Sequence, residues 1–223
     1  MVRSLTSTLN TALNSTTRRP AITLTAEDHV QHYRNFLTSV NADAYHDACV
    51  ASDGSIVRVQ LTRGGTGFNQ NFQYQRITNP NTGSQWTTWT TFSGGSGNMF
   101  DDGDCCISNN SGTLRAFAMH AVVGTTQILT WSSTNNGVSW SGPTVICNLP
   151  AAALIKGIGS GGNNDVFYLY DVTGGETIGY NLFSGGTWSI TFTWTGGLAG
   201  TYGTGLCVLY DGQYHVIWSD GYA

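Results

Sequence analysis

A pattern of four short predicted strands recurs from about residue 45 to residue 223, and it constrains the fold more than any other feature. Each copy opens with an apolar segment, passes through a turn that contains Gly or Asn into a second strand, and continues into a third and a fourth strand. The copies begin near Ala48, Cys105, Ile155 and Leu206, and the last copy ends after its second strand. Units of about 50 residues that recur in this way bury their apolar faces against one another.

The turn between the third and fourth strands repeats most closely. Residues 79–86 (Asn-Pro-Asn-Thr-Gly-Ser-Gln-Trp) align without a gap to residues 133–140 (Ser-Thr-Asn-Asn-Gly-Val-Ser-Trp), and the third copy has a shorter version at residues 184–188. An Asn in such a turn bonds its own backbone, a Gly adopts a positive φ, and a Trp anchors the turn on the strands. The predicted structural residues of these turns are Asn81, Gly83, Trp86, Asn135, Gly137, Trp140 and Trp188.

The spacing of the turn tryptophans indicates the architecture. Trp86, Trp140 and Trp188 lie 54 and 48 residues apart, which is about the length of one blade of a β-propeller. The sequence therefore predicts an all-β chain, a β-propeller of four-stranded blades. About three and a half blades are present, at residues 45–96, 97–150, 151–200 and, in part, 201–223.

Residues 1–44 are interpreted as a separate N-terminal arm. Leucines at every fourth position within residues 4–14 predict a short amphipathic helix, which is too short to be stable alone and so docks on another surface. Pro20 breaks this helix, and predicted strands at residues 21–25 and 29–36 follow it.

A propeller ring has to close, because an open ring exposes strand edges. Two solutions remain open at this point. Either the predicted strands of the arm complete the fourth blade, or the chain continues past Ala223. The ending in mid-blade favours continuation.

Composition excludes several classes of partner. Charged residues make up 10 % of the chain and its net charge is −4, so nucleic acid is not an expected partner, because such a surface needs clustered Lys and Arg. No apolar run approaches the roughly 20 residues of a membrane-spanning helix. Residues 1–17 are too polar for the apolar core of a signal peptide. We expect synthesis in the cytoplasm without a signal peptide, and no membrane insertion.

No motif predicts a metal or a cofactor. The five cysteines lack the CxxC or Cys/His spacing of zinc sites, and we expect buried, reduced thiols. Residues 157–162 match the GxGxxG pattern, but another strand follows, where a dinucleotide site requires a helix.

The repeated turn resembles the Asp-box of sialidase-like propellers, Ser-x-Asp-x-Gly-x-Thr-Trp, with Asn81 and Asn135 where that family has Asp. In that family the box is a folding device that lies far from the active centre. The resemblance therefore implies the fold and does not imply catalysis.

The residues that hydrolysis requires are sparse. Glycoside hydrolysis needs two placed carboxylates, and sialidases also use an arginine triad and a Tyr/Glu pair. Glu176 is the only glutamate within the repeats, and the Arg-Ile-Pro motif of sialidases is missing. The arginines that are candidates to converge on a channel are Arg58, Arg63, Arg76 and Arg115. We therefore expect no enzyme and assign no catalytic residue.

The order of an arm followed by propeller repeats is similar to that of tail-associated and adhesion proteins of tailed phages and prophages. The matching parts are residues 3–13, residues 18–24 and residues 45–58. The resemblance implies a structural or adhesive virion protein, found in the virion or outside the cell after release. Its arm anchors to a neighbouring subunit of an oligomeric assembly, and its propeller is displayed for assembly or for contact with host-surface glycans. The predicted anchoring residues are Leu5, Leu9, Leu13, Arg18 and Arg19. The alternative is a glycan-binding propeller or a sialidase-like glycoside hydrolase.

Overall fold

The computed structural model describes residues 45–62, 70–80, 84–99, 105–122, 125–150, 153–172, 175–195 and 206–218. The fourteen strands in these ranges are β1 (Tyr45–Val50), β2 (Ile56–Thr62), β3 (Gln70–Ile77), β4 (Thr90–Met99), β5 (Cys106–Asn110), β6 (Thr113–Val122), β7 (Thr125–Ser133), β8 (Ser141–Pro150), β9 (Leu154–Gly159), β10 (Asp165–Val172), β11 (Gly175–Ser184), β12 (Thr187–Thr195), β13 (Leu206–Tyr210) and β14 (Tyr214–Trp218). The arm, with its predicted helix, lies outside the described residues.

The strands form successive antiparallel units of four. Strands β1 to β4 pair in chain order as the first blade, and β5 to β8 pair in the same way as the second blade. One backbone bridge, between Met99 and His120, links these two blades into an eight-stranded sheet. Strands β9 to β12 form the third blade, and β13 pairs with β14 in a separate hairpin. The prediction of an all-β chain built from four-stranded units is confirmed.

The blades pack face to face, so an inner blade is buried on both sides. Val57 and Val59 of β2 are buried in one cluster with Ala116 of β6. The next residue of β6, Phe117, lies in a second cluster with Tyr168 of β10. Because neighbouring residues of a strand point to opposite faces, β6 is apolar on both faces and its sequence shows a nearly continuous apolar run. A third cluster lies between the third blade and the β13–β14 hairpin.

Aromatic rings fill the space between the first two blades. The rings of Phe72 and Phe92 stack with centroids 4.6 Å apart, and the ring of Trp131 lies 5.1 Å from that of Phe72. The indole Nε1 of Trp131 donates a 2.9 Å hydrogen bond to the carbonyl of Ser93. Pairs of this kind contribute about 0.5–1.5 kcal/mol beyond the area that they bury.

A glycine makes room for a buried tyrosine in the third blade. Tyr168 is almost fully buried, and a Cβ at Gly179 would lie 2.2 Å from its ring. The Tyr168 hydroxyl donates a 2.7 Å hydrogen bond to Asn181 and accepts a longer one from the Cys147 thiol. Burial is the main reason that the pKa of Tyr168 is raised above its ordinary value, so the phenol stays protonated.

We predict that Gly179→Ala destabilises the chain by about 2 kcal/mol, because the new methyl group overlaps the Tyr168 ring. The free energy of unfolding, from urea denaturation, measures the loss. In a Tyr168→Leu background the same change should cost much less, since the overlapping ring atoms are gone. Equal losses in the two backgrounds would contradict this explanation.

Candidate functional site

The two ends of the blades differ in what the structure places there. At one end lie the turns between first and second strands and between third and fourth strands. At the other end lie the connections from second to third strands and from one blade to the next, and most of these connections fall outside the described residues. The described residues therefore include the turns at the first end of the blades and, at the second end, only the ends of the strands.

The turn at residues 133–140 is closed by its own side chains. The Ser133 hydroxyl donates to Asn135 Oδ1 over 2.9 Å and accepts a 3.0 Å hydrogen bond from the Gly137 amide. Asn135 Oδ1 also accepts from the Ser139 amide, and Asn135 Nδ2 donates to the Ser139 hydroxyl over 2.8 Å. Gly137 has a φ of +80°, which glycine adopts without strain. Most of the polar groups of the turn are thus satisfied by its own side chains, and the carbonyl of Asn136 accepts a hydrogen bond from Arg76 of the first blade.

The tryptophan that ends this turn contacts the preceding blade. The ring of Trp140 lies edge-on to Phe92 of β4 at 5.0 Å and 5.7 Å from Tyr74 of β3. Trp188 of the third blade does the same, with its ring edge-on to Phe117 of the second blade at 5.8 Å. The turn tryptophans are therefore links between blades.

The corresponding tryptophan of the first blade, Trp86, is not between the described blades. Arg58 stacks its guanidinium on the rings of Trp86 and Trp89, at 4.1 and 4.9 Å, and its Nε donates to Gln75 over 2.9 Å. Arg58 points to the opposite face of β2 from Val57, which packs on the second blade. Trp86 therefore lies on the face of the first blade that is turned away from the second. Asn81 and Gly83 of the same turn lie outside the described residues.

The three candidate arginines that the structure describes, Arg58, Arg76 and Arg115, do not converge. Arg58 lies on the outer face of the first blade. The Nη2 of Arg76 pairs with Asp53 of its own blade at 2.6 Å, and its Nε donates to the carbonyl of Asn136 in the second blade over 2.8 Å. Arg115 reaches from the second blade to the third and stacks on Phe183. Arg63 lies outside the described residues, as do the predicted anchoring residues Leu5, Leu9, Leu13, Arg18 and Arg19.

Two of the described carboxylates are used to close turns. Partial burial raises the pKa of Asp53, but hydrogen bonds from Ser55 and the nearby guanidinium of Arg76 lower it by more. The pKa of Asp53 therefore lies below its ordinary value. Asp165 is fully buried and accepts hydrogen bonds from the Ser160 hydroxyl, the Gly161 amide and the Tyr214 hydroxyl at 2.8, 2.7 and 2.8 Å. These groups stabilise the fold.

An acidic pair lies at the other end of the third blade, and sequence reasoning missed it. The register places Asp171 of β10 directly opposite Glu176 of β11, next to the connection between these strands. Like charges at directly opposed positions destabilise a strand pair. Glu176 is the only glutamate within the repeats, and no second glutamate occurs there to form a pair. The residue opposite Glu176 is instead an aspartate, five residues earlier in the chain.

A third carboxylate, Asp47, is the third residue of β1, the strand that begins at this end of the first blade. Asp47 is buried, its Oδ1 accepts a 2.8 Å hydrogen bond from the Ala48 amide, and its Oδ2 accepts one of 2.8 Å from the Ile107 amide of β5. Asp47 therefore joins the innermost strands of two blades.

No group of three or more His, Cys, Asp or Glu side chains suited to a metal ion occurs in the described part of the chain. No helix within those ranges is long and apolar enough to cross a membrane. Four of the cysteines are buried, whereas Cys207 of β13 is exposed, against the expectation of buried thiols throughout.

Solved structures that share this fold include those of two fungal enzymes. The α-L-arabinanase of Penicillium chrysogenum, solved with arabinobiose, matches with a TM-score of 0.51 and 13 % sequence identity over 78 % of this chain and 56 % of that one. The α-L-arabinofuranosidase of Fusarium graminearum, solved with an iminosugar inhibitor, matches with a TM-score of 0.50 and 11 % identity over 74 % of this chain and 52 % of that one. This chain spans about half the length of the enzymes that it matches. No protein-family model and no curated protein matches the sequence.

These matches confirm the β-propeller and correct the predicted function. The prediction of a structural or adhesive virion protein without enzymatic activity is wrong, because the propellers of similar structure are glycan-cleaving enzymes. The order of an arm and repeats describes an architecture that many functions share.

We predict that Asn135→Ala lowers the free energy of unfolding by about 1 kcal/mol, because the Ser133 hydroxyl and the Ser139 amide lose their shared acceptor. Asn135→Asp keeps that acceptor and should stay close to the unmodified chain. Urea denaturation measures both, with Thr134→Ala as the exposed neighbouring control. A loss in Asn135→Asp as large as that in Asn135→Ala would show that the acceptor is not what closes the turn.

Proposed function

We propose that this chain belongs to a glycoside hydrolase of the β-propeller class that acts on an arabinose-containing glycan. The observation that carries the proposal is the acidic pair Asp171 and Glu176, at the blade end opposite the folding turns. The likeness to an arabinanase and an arabinofuranosidase supports the choice of substrate class.

The register of the pair suits the chemistry. Cβ atoms of directly opposed residues in an antiparallel pair lie about 4.5–5.5 Å apart. Retaining glycosidases hold their acid and their nucleophile with carboxyl groups about 5–5.5 Å apart, whereas inverting enzymes need about 6.5–9.5 Å to admit a water molecule. Opposed positions of neighbouring strands therefore hold the two acidic residues that glycoside hydrolysis requires, one as the general acid and the other as the nucleophile or the base.

The location also supports the proposal. Loops that connect strands tolerate change better than the strands do and carry most binding and catalytic groups. The pair flanks such a connection, while the turns at the other blade end are closed by internal hydrogen bonds. Asp47 brings a further carboxylate to the same end, already held by two backbone amides.

We predict that the chain releases reducing sugar from linear arabinan, and that Asp171→Asn and Glu176→Gln each lower kcat by about 10³-fold, since loss of a general acid or nucleophile removes an interaction made in the transition state. The assay is reducing-sugar release together with hydrolysis of a nitrophenyl α-L-arabinofuranoside. Asp211→Asn is the matched control, because Asp211 is an exposed carboxylate at the folding-turn end.

Two outcomes would contradict the proposal. One is full activity in both variants. The other is binding of arabinan, seen by calorimetry, without release of reducing sugar from the folded, unmodified chain. The second outcome would leave a glycan-binding propeller as the function.

A further inference from the structure

The turn between the third and fourth strands of the second blade contains a chemically reactive pair of residues. Asn136 is followed by Gly137, and this is the one Asn–Gly pair in the sequence. Asparagine is a thermolabile residue, and glycine makes it more so, because it has no side chain to shield the amide nitrogen that attacks the asparagine side chain. The aligned turn of the first blade has Thr82 before Gly83. Asn136 is therefore a feature of the second blade and not a requirement of the repeat.

The conformation of Asn136 keeps the two reacting atoms apart. Asn136 has a φ of +58°, and residues with such a φ have a ψ of about +30 to +60°. At these angles the Gly137 nitrogen lies on the opposite side of the Cα–C bond from the Asn136 Cβ. A bond between this nitrogen and the side-chain carbon closes a small ring, which needs the nitrogen and Cβ on the same side. The peptide unit between the two residues must therefore rotate before the reaction can begin.

Contacts with the first blade and within the turn oppose this rotation. The carbonyl oxygen of Asn136 accepts a 2.8 Å hydrogen bond from Nε of Arg76, and the Gly137 amide donates one of 3.0 Å to the Ser133 hydroxyl. The peptide unit is thus held at both of its polar atoms. Gly137 is also buried, and a Cβ at this position would lie 2.7 Å from Val57 of β2. Rotation therefore breaks both hydrogen bonds and moves the turn away from the first blade.

We propose that Asn136 is a site of spontaneous deamidation that the contact between the first two blades keeps closed. When the contact opens, the Gly137 nitrogen gives its proton to the solvent and forms a bond to the side-chain carbon of Asn136. The side-chain nitrogen leaves that carbon, takes up a proton and is released as ammonia. Water then adds to one of the two carbonyl carbons of the ring and breaks its bond to the ring nitrogen, which leaves aspartate or isoaspartate at this position. The inference goes beyond the proposed function and does not depend on it.

The isoaspartate product does not fit the closed turn. It adds one carbon atom to the main chain immediately before Gly137, which lies so close to the first blade that a Cβ would overlap Val57. The longer main chain also cannot keep both the bond to Arg76 and the bond to Ser133 at their present lengths. The reaction therefore converts a transient opening between the blades into a permanent one.

The rate of deamidation at residue 136 in the intact chain tests the proposal. Peptide mapping by mass spectrometry follows the mass change and separates the aspartate product from the isoaspartate product. At one pH and one temperature, the folded chain should react at least about tenfold more slowly than the same chain unfolded in urea, because only the open fraction reacts.

Two matched variants locate the protection. Arg76→Gln removes the hydrogen bond to the Asn136 carbonyl and should raise the rate in the folded chain about fivefold, the factor expected for the loss of one hydrogen bond. Arg58→Gln is the same change on the outer face of the first blade, and it should leave the rate unchanged.

Equal rates in the folded and the unfolded chain would overturn the proposal, and so would an equal rise in the two variants. If Arg76→Gln does not fold, hydrogen exchange of the Gly137 amide in the unmodified chain decides the question. Exchange and attack both require the bond from Gly137 to Ser133 to break, so folding should slow them by similar factors. Free exchange of this amide beside slow deamidation would show that the closed turn is not what protects Asn136.

Discussion

The packing of a turn tryptophan on the blade before it is the interaction on which this structure depends. Trp140 and Trp188 each extend from their own blade onto aromatic rings of the previous one. A single four-stranded blade has two apolar faces and cannot cover either alone, so stability arises at the contacts between neighbours. The side-chain bonds of Ser133 and Asn135 serve this contact, because they fix the turn that orients Trp140.

Arginine has a supporting role at the same interfaces, in a chain with few charges. Arg76 and Arg115 cross from one blade to the next, where each meets a carbonyl oxygen and, for Arg115, an aromatic ring. Partial burial lowers the pKa of Arg115 from its ordinary value, but the guanidinium keeps its charge at any physiological pH. A planar guanidinium suits such a position because it stacks on an aromatic ring and donates hydrogen bonds at the same time. Two of the arginines that suggest a sialidase channel in the sequence, Arg76 and Arg115, are therefore blade-to-blade contacts in the structure.

The repeat predicted the fold well because its signals are local. The spacing of Trp86, Trp140 and Trp188 and the composition of the turns depend only on nearby residues. The candidate site depends on register, which local composition does not determine. Only the pairing of β10 with β11 brings Asp171 opposite Glu176. The function inferred from the order of arm and repeats was wrong for a related reason, since architecture is shared among proteins with different chemistry.

The acidic residues at the two ends of the blades have different surroundings. At one end, Asp53 and Asp165 accept hydrogen bonds that hold turns in place, and changes there disturb the fold. At the other end, Asp171 and Glu176 occupy directly opposed positions of β10 and β11, and like charges at such positions are unfavourable in a strand pair. A strand pair selected only for stability would place an uncharged or basic residue at one of these positions. Residues that do not favour stability are typical of functional sites, which is why the proposed function rests on this acidic pair.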